Sequence, residues 1–95
     1  MATYKLTLEA ENDLDRIWLR GLKEFGVEQA DRYYNALFDR FEVLAEQPHK
    51  YQLVDNIRKG YRRSPCGVDS IYYRVIGNDV EIMSIIGRQG VEEWL

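Results

Sequence analysis

The chain has 95 residues, of which 45% are hydrophobic and 31% are charged, enough apolar material for one core and too little for two. No segment approaches the roughly 18 uninterrupted apolar residues of a membrane span, and the first residues lack the basic and apolar regions of a secretion signal. One cysteine and one histidine exclude an intrachain disulfide and are too few for a typical zinc site. We therefore expect a single domain over residues 1–95, without metal or cofactor, in the cytoplasm.

The net charge of −3 is unevenly spread along the chain. Residues 1–49 carry six basic and ten acidic side chains, residues 50–74 carry six and two, and residues 75–95 carry one and four. An acidic protein has little general attraction for nucleic acid, so we expect no direct specific nucleic-acid binding. The basic middle segment, with a net charge of +4, instead indicates a surface for an acidic partner.

The predicted elements begin with a short strand and a helix. Tyr4, Leu6 and Leu8 alternate with polar residues, which predicts a half-buried strand over residues 4–8. The spacing then becomes helical, with Thr7 available as N-cap and Gly26 as the stop. The apolar stripe of this helix consists of Ala10, Leu14, Ile17, Trp18, Leu22 and Phe25. We expect Trp18 to be a core residue.

A second helix follows almost at once and is ended by Pro48. Its apolar stripe consists of Ala30, Tyr33, Leu37, Phe38, Phe41, Leu44 and Ala45. Because the connection is so short, the two helices should form an antiparallel hairpin. Their two apolar faces would supply the main part of the core.

The rest of the chain alternates with period two, which predicts three strands. They are Ile57–Arg63, Val68–Ile76 and Val80–Ile86, with turns at residues 64–67 and at Gly77-Asn78. The middle strand should direct Ile71 and Tyr73 toward the helices, and Tyr72 and Arg74 away from them. The order of elements therefore predicts an α+β fold, β-α-α-β-β-β, with a helical hairpin packed on one face of a largely antiparallel, twisted sheet.

Five short patterns, taken in chain order, resemble the ParE branch of the RelE/ParE toxin superfamily. They are Ala10…Asp13-Leu14…Ile17, Gly26…Gln29-Ala30…Tyr33…Leu37, Leu44-Ala45…Pro48, Ile57-Arg58…Gly60…Arg62-Arg63, and Ile71-Tyr72-Tyr73-Arg74 before the final strand. The match extends over nearly the whole chain. It agrees with the fold predicted from the residues.

The resemblance implies the toxin of a type II toxin–antitoxin pair. Such a toxin traps the cleaved-DNA complex of DNA gyrase, arrests growth, and is neutralised in a hetero-oligomer with a ParD-like antitoxin whose C-terminal segment wraps it. It is a poison rather than a catalyst, so no catalytic residue is assigned. The chain departs from the family pattern at Asp69, where the family often has His, and at Ile86-Gly87-Arg88-Gln89, where it often has Leu-His followed by Met-Asp.

Six residues are candidate contacts with the target or the antitoxin: Arg58, Arg62, Tyr72, Arg74, Arg88 and Trp94. Arg58 and Arg62 lie four residues apart on a predicted strand and so on the same face, which either contacts a partner or is simply solvated. Tyr72 and Arg74 are of the residue types that anchor interfaces, or else ordinary surface residues. Arg88 lies in a glycine-flanked turn. Trp94 either packs on the domain or reaches a partner.

The sister branch of the superfamily supplies the alternative function, a ribosome-dependent messenger-RNA endoribonuclease. General acid–base catalysis needs a titratable group beside cations such as Arg58, Arg62, Arg74 and Arg88. Trp94 stands near the place of the nuclease branch's C-terminal tyrosine, and an indole cannot act as acid or base. A third hypothesis, motivated by Asp69 and the altered tail, is an inactive toxin retained as an antitoxin-binding module.

Overall fold

The structure is a computed structural model that describes residues 3–87. Its elements are β1 (Tyr4–Leu6), α1 (Leu8–Phe25), α2 (Val27–Glu46), β2 (Arg62–Cys66), β3 (Asp69–Ile76) and β4 (Asp79–Gly87). The sheet order is β1-β4-β3-β2, with β1 parallel to β4 and the other two pairs antiparallel. The α+β prediction and the order of elements are confirmed. No helix in residues 3–87 is long and apolar enough to cross a membrane.

The helical hairpin is fixed at both ends of α1. Thr7 has an extended backbone, and its hydroxyl accepts a hydrogen bond from the Ala10 N–H at 3.1 Å. Gly26 ends the helix at a φ of 93°, where a side chain would be strained, and donates its N–H to Leu22 O at 3.1 Å. α2 starts at the next residue, so the predicted antiparallel hairpin and its N-cap and stop are confirmed.

Three members of the predicted stripe of α1, Trp18, Leu22 and Phe25, are not core residues, and Trp18 and Phe25 depart furthest from the prediction. Trp18 is half-buried, and its indole N–H donates to the exposed Asp31 carboxylate at 2.9 Å. Phe25 is 66% exposed. Both lie away from the sheet because a straight helix presents only about a third of its surface to one neighbour. The prediction that Trp18 is a core residue is therefore wrong.

The core lies between the hairpin and one face of the sheet. It is built from Ala10, Leu14, Ile17, Leu37, Phe41, Leu44, Cys66, Ile71, Tyr73, Val80, Ile82 and Ile85. A β-bulge shapes its sheet side: Tyr72 pairs with Ser84 and Tyr73 with Ile82, which leaves Met83 as an extra residue. Ile82 and Ile85 consequently both face the helices, although they are three residues apart.

The position of β2 differs from the prediction. Residues 55–60 form turns, closed by a bond from the Gly60 N–H to Asp55 Oδ1 at 2.8 Å. The strand starts only at Arg62 and runs through the predicted Ser-Pro-Cys-Gly turn, and the true turn follows Cys66. Pairing of Ser64 with Ile71 stabilises this register, since it buries Ser64 and Cys66 against the helices.

Candidate protein-binding surface

The face of the sheet that points away from the helices carries three cross-strand rows, and we call it the outer face. The rows are Lys5–Glu81–Arg74, Ser84–Tyr72–Arg63 and Ile86–Ser70–Pro65. Side chains of paired residues lie side by side on one face of a sheet, so each row is a contiguous strip. The outer face is therefore the surface on which two of the predicted contact residues, Tyr72 and Arg74, are placed.

The first row alternates in charge. Arg74 contacts Glu81 Oε1 through Nη2 at 2.7 Å and donates to it through Nε at 2.8 Å. The two side chains are 46% and 25% exposed. An exposed pair of this kind contributes at most about 1 kcal/mol. The row is therefore a pattern of alternating charge at the surface rather than a strong support of the fold.

The second row is not the exposed aromatic surface that the sequence predicts. Tyr72 does lie on the outer face, but it is only 1% exposed, and Ser70 and Ser84 beside it are also buried. Arg63, opposite Tyr72 on β2, turns along the sheet and donates from Nε to Ser70 Oγ at 3.0 Å. The placement of Tyr72 on this face is as predicted, but a side chain that is 1% exposed is not an ordinary surface residue. Its role as a contact stays a prediction.

The structure does not bring Arg58 and Arg62 together on a strand face. Arg58 is exposed in the turns before β2, whereas Arg62 is half-buried in β2. Arg62 Nη1 donates to Tyr51 O at 2.7 Å, and beside it the Tyr73 hydroxyl donates to Pro48 O at 3.0 Å. Burial raises the pKa of Tyr73. Arg62 thus holds the segment after α2 against the sheet. Two further predicted contacts, Arg88 and Trp94, lie outside the described residues.

Asp69, the position of the family departure, is the centre of a buried polar cluster. Its side chain is 1% exposed, and Arg20 Nη2 contacts Oδ2 at 2.8 Å. The Tyr33 hydroxyl lies 2.6 Å from Cys66 O and 3.0 Å from Asp69 Oδ2, and its single proton can serve one of them at a time. The cluster joins α1 and α2 to the turn between β2 and β3.

The electrostatics of this cluster follow from burial and from one carboxylate. Burial, and then the neighbouring Asp69, raise the pKa of Tyr33 well above its usual range. The hydrogen bond to Asp69 is the main cause that raises the pKa of Arg20. Tyr33 is therefore a neutral donor and Arg20 a fixed cation at any physiological pH.

A cleft of about 320 Å³ opens beside the Asp69 cluster, where the end of α1 and the start of α2 meet the β2–β3 turn. Arg20, Phe25, Ala30, Tyr33 and Val68 are among its lining residues. Phe25 and Val68 are 66% and 77% exposed, so the cleft has an apolar rim. Its volume lies within the range of about 300–1,000 Å³ in which pockets accept a ligand or an anchoring side chain.

A family model described as the ParE toxin of the type II toxin–antitoxin system parDE matches residues 4–91. The chain belongs to this ParE toxin family. It is 41% identical over 86 residues to Toxin ParE1 of Caulobacter vibrioides, covering 90% of this chain and 88% of that protein. It is 34% identical over 87 residues to Toxin ParE1 of Mycobacterium tuberculosis, covering 90% and 89%.

A solved structure supports the fold of this ParE toxin. A chain of the chromosomal ParDE toxin–antitoxin system from P. aeruginosa superimposes with a TM-score of 0.80 at 22% identity, covering 92% of this chain and 96% of that chain. The RelE/ParE-like fold that the resemblance implies is thus confirmed. Membership of a type II toxin–antitoxin family is confirmed by the family model that matches residues 4–91.

Arg20 and Tyr33, which join Asp69 in the buried cluster of this ParE toxin, were not predicted from the sequence. Tyr33 stands within the apolar stripe of α2, and Arg20 follows Ile17 by three residues on α1. A basic residue next to an apolar stripe indicates an acidic partner nearby, because a charge that is removed from water needs an opposite charge. Asp69 in the basic middle segment was the available partner.

Proposed function

We propose that this toxin poisons DNA gyrase by stabilising its cleaved-DNA complex, arrests growth from within the cytoplasm, and is neutralised in a hetero-oligomer with a ParD-like antitoxin. The family match over residues 4–91 carries the proposal, because it extends over every strand and helix of the fold. The 41% identity to Toxin ParE1 of C. vibrioides over 90% of the chain supports it at the level of individual residues.

Three arginines serve the fold, and one of them, Arg62, is among the four cations that a nuclease site would use. Arg20 is paired with the buried Asp69, Arg62 holds Tyr51 O, and Arg40 Nη1 donates to Ser64 Oγ at 2.8 Å and to Pro65 O at 2.7 Å. Cations committed to the fold in this way cannot move to stabilise charge on a scissile phosphate. The surface contacts of the toxin therefore fall to other residues.

We assign the contact roles as follows. Arg74 on the outer face and Arg58 in the turns before β2 are exposed, and both belong to the basic segment that suits an acidic partner. Arg88 and Trp94 are retained as target contacts on the strength of the sequence. Arg62 and Tyr72 contribute indirectly, Arg62 by positioning the segment after α2 and Tyr72 by filling the outer face.

A gyrase cleavage assay tests the proposed target. Purified toxin is incubated with gyrase, ATP and supercoiled plasmid, and the products are released with detergent and protease. We expect linear plasmid to accumulate with toxin concentration. Arg74→Glu should weaken this effect, whereas Arg32→Glu, a charge reversal on the exposed side of α2, should leave it unchanged. Growth arrest without cleaved plasmid, or with cleaved messenger RNA, would contradict gyrase as the target.

Co-expression tests the proposed antitoxin. The toxin alone should stop growth, and a ParD-like protein encoded beside it should restore growth and copurify with the toxin as a hetero-oligomer. Copurification without any toxicity of the free toxin would support the inactive-toxin hypothesis instead. Normal growth and no complex would contradict the proposal as a whole.

A further inference from the structure

The burial of Tyr72 requires a cover over the outer face. Tyr72 stands between Ser84 and Arg63 in its cross-strand row and is 1% exposed, and Ser84 is fully buried. Side chains stand out from the plane of a sheet, and a serine is too short to shield the ring of a neighbouring tyrosine. Arg63 is itself exposed. The centre of this face is therefore closed by atoms that lie above it rather than beside it.

The other described elements lie elsewhere. Both helices pack on the opposite face of the sheet, in the core that contains Ile71 and Tyr73. The loop before β2 runs along the edge of the sheet, where the Arg63 N–H donates to Gln52 O at 3.1 Å. These elements of residues 3–87 thus leave the burial of Tyr72 unexplained.

The Ser84 hydroxyl indicates the same cover. Its Oγ is buried and has no hydrogen-bond partner among residues 3–87. A buried hydroxyl is rarely left unpaired, because the hydrogen bonds to water that it loses must be replaced. Ser84 lies directly beside Tyr72. A chain segment over these two residues would bring backbone N–H and C=O groups to the hydroxyl.

Residues 88–95 begin at the right place and are long enough to reach Tyr72. β4 ends at Gly87, which pairs with Asp69 at the start of β3. Tyr72 lies three residues farther along β3, which is about 10 Å along the strand. Eight residues span about 26–29 Å when they are fully extended. The segment can therefore turn back after β4 and cross the centre of the outer face.

The apolar residues of this segment are spaced to form one side. Val91, Trp94 and Leu95 stand at positions i, i+3 and i+4, which share a face of a helical turn. Such a face would bury a large aromatic ring together with two aliphatic side chains. Tyr72 offers it an aromatic surface, and aromatic pairs attract beyond the area that they bury.

The charges of the segment and of the outer face are complementary. Residues 88–95 carry one basic and two acidic side chains, a net charge of −1. The outer face carries three basic side chains and one acidic side chain, a net charge of +2: Lys5, Arg63, Arg74 and Glu81. Two outer faces brought together from two copies of the chain would repel each other. The charge balance thus favours the chain's own segment as the cover.

We propose that residues 88–95 fold back across the outer face and that Trp94 packs on Tyr72. The segment then closes the centre of this face, and a partner meets the face at its rim, where Arg74 is 46% exposed. A packed indole keeps its polar edge near the surface, so a contact between Trp94 and the target is compatible with this position. The inference does not depend on gyrase as the target.

Tryptophan fluorescence of the full chain tests this packing. The chain has two tryptophans, so Trp18→Phe leaves Trp94 as the single reporter. We expect emission at a shorter wavelength than that of free N-acetyltryptophanamide. Acrylamide should quench Trp94 at least about twofold less than it quenches the free compound, because a packed ring is shielded from solvent. Neither value should change with protein concentration, since the contact lies within one chain.

Matched variants locate the contact. In the Trp18→Phe background, Tyr72→Ala should shift the emission to longer wavelength and raise acrylamide quenching at least about twofold, because the ring under the indole is removed. Tyr34→Ala is the control. It removes a half-buried ring that packs on Phe38 of the helical hairpin, with 5.0 Å between the ring centroids, and should leave Trp94 emission unchanged.

Three results would overturn the inference. They are emission and quenching equal to those of the free compound, an equal response to Tyr72→Ala and Tyr34→Ala, and a dependence on protein concentration, which would assign the cover to a second copy. Circular dichroism shows whether the variants are folded. If Tyr72→Ala unfolds, nuclear Overhauser contacts between the Trp94 indole and the Tyr72 ring in the parent protein decide the question: we expect them, and their absence would refute the packing.

Discussion

Replacement of Arg20 by methionine measures how strongly the Asp69 cluster holds the hairpin to the sheet. Arg20 lies 2.8 Å from Asp69 Oδ2, and the two side chains are 33% and 1% exposed. Removing one partner of a buried ion pair costs about 3–5 kcal/mol, because a charge is left without compensation. Arg20 is partly exposed and the Tyr33 hydroxyl remains nearby, so we expect the lower end, about 3 kcal/mol. Methionine retains most of the packing of the arginine stem.

Thermal unfolding followed by circular dichroism checks this value. For a domain of this size, about 3 kcal/mol corresponds to a decrease in Tm of about 12–24 °C. Arg32→Met is the matched control, since Arg32 and Glu28 are 72% and 93% exposed and 3.9 Å apart, and it should cost less than about 0.5 kcal/mol. The double variant Arg20→Met, Asp69→Asn should lose less stability than the sum of the losses of the two single variants. A Tm for Arg20→Met within about 3 °C of the control would refute the reasoning.

Three further perturbations test local features. Gly67→Ala places a Cβ 2.5 Å from Tyr33 at a φ of 63°, and should lower the free energy of unfolding in urea by about 2–3 kcal/mol. The control is Gly60→Ala, where φ is 82° and no atom lies within 4 Å of the new Cβ, so that the loss should be about 1 kcal/mol. Equal losses for the two variants would contradict the clash with Tyr33. Thr7→Ala removes the N-cap and the bond to Met83, and should cost about 1–2 kcal/mol in the same assay; a neutral change would show that the cap is dispensable. Because the pKa of Tyr33 is raised, the stability from its neutral phenol is complete below about pH 10 and is lost as the pH rises further. Tyr33→Phe should flatten the pH dependence of the free energy of unfolding above about pH 10. An unchanged slope would show that another group causes this pH dependence.

The helical hairpin could be predicted from the sequence because its signals are local. Thr7 and Gly26 each act within one turn of the helix that they begin or end. The apolar stripes repeat over many turns, so an error at one position, such as Trp18, does not change the result. The two faces of β3 were also predicted correctly. Ile71, Tyr73 and Val75 alternate with Tyr72 and Arg74, and this alternation can be seen without knowledge of the partner strands.

The position of β2 could not be predicted in this way. The period-two pattern of residues 57–63, with Ile57 and Tyr61 on one face, is as typical of a strand as the sequence of the observed β2. Ser-Pro-Cys-Gly is also a strong turn signal. The outcome is decided by pairing with β3, which lies across the turn and buries Ser64 against the helices. Strand formation depends on such neighbours more than on intrinsic preference.

The roles of the charged residues depend on the same distant contacts. Arg62 and Arg74 both stand in the basic middle segment, yet Arg62 supports a loop on the helix side of the sheet while Arg74 faces outward beside Glu81. Asp69, where the family often has His, illustrates the consequence for function. The Asp69 carboxylate forms an ion pair with Arg20 on α1, so the negative charge that aspartate introduces at this position is compensated. A histidine at this position, if protonated, would face that guanidinium as a like charge. In this chain, then, Asp69 supports the fold that presents the outer face, and the change from histidine does not by itself indicate a lost activity.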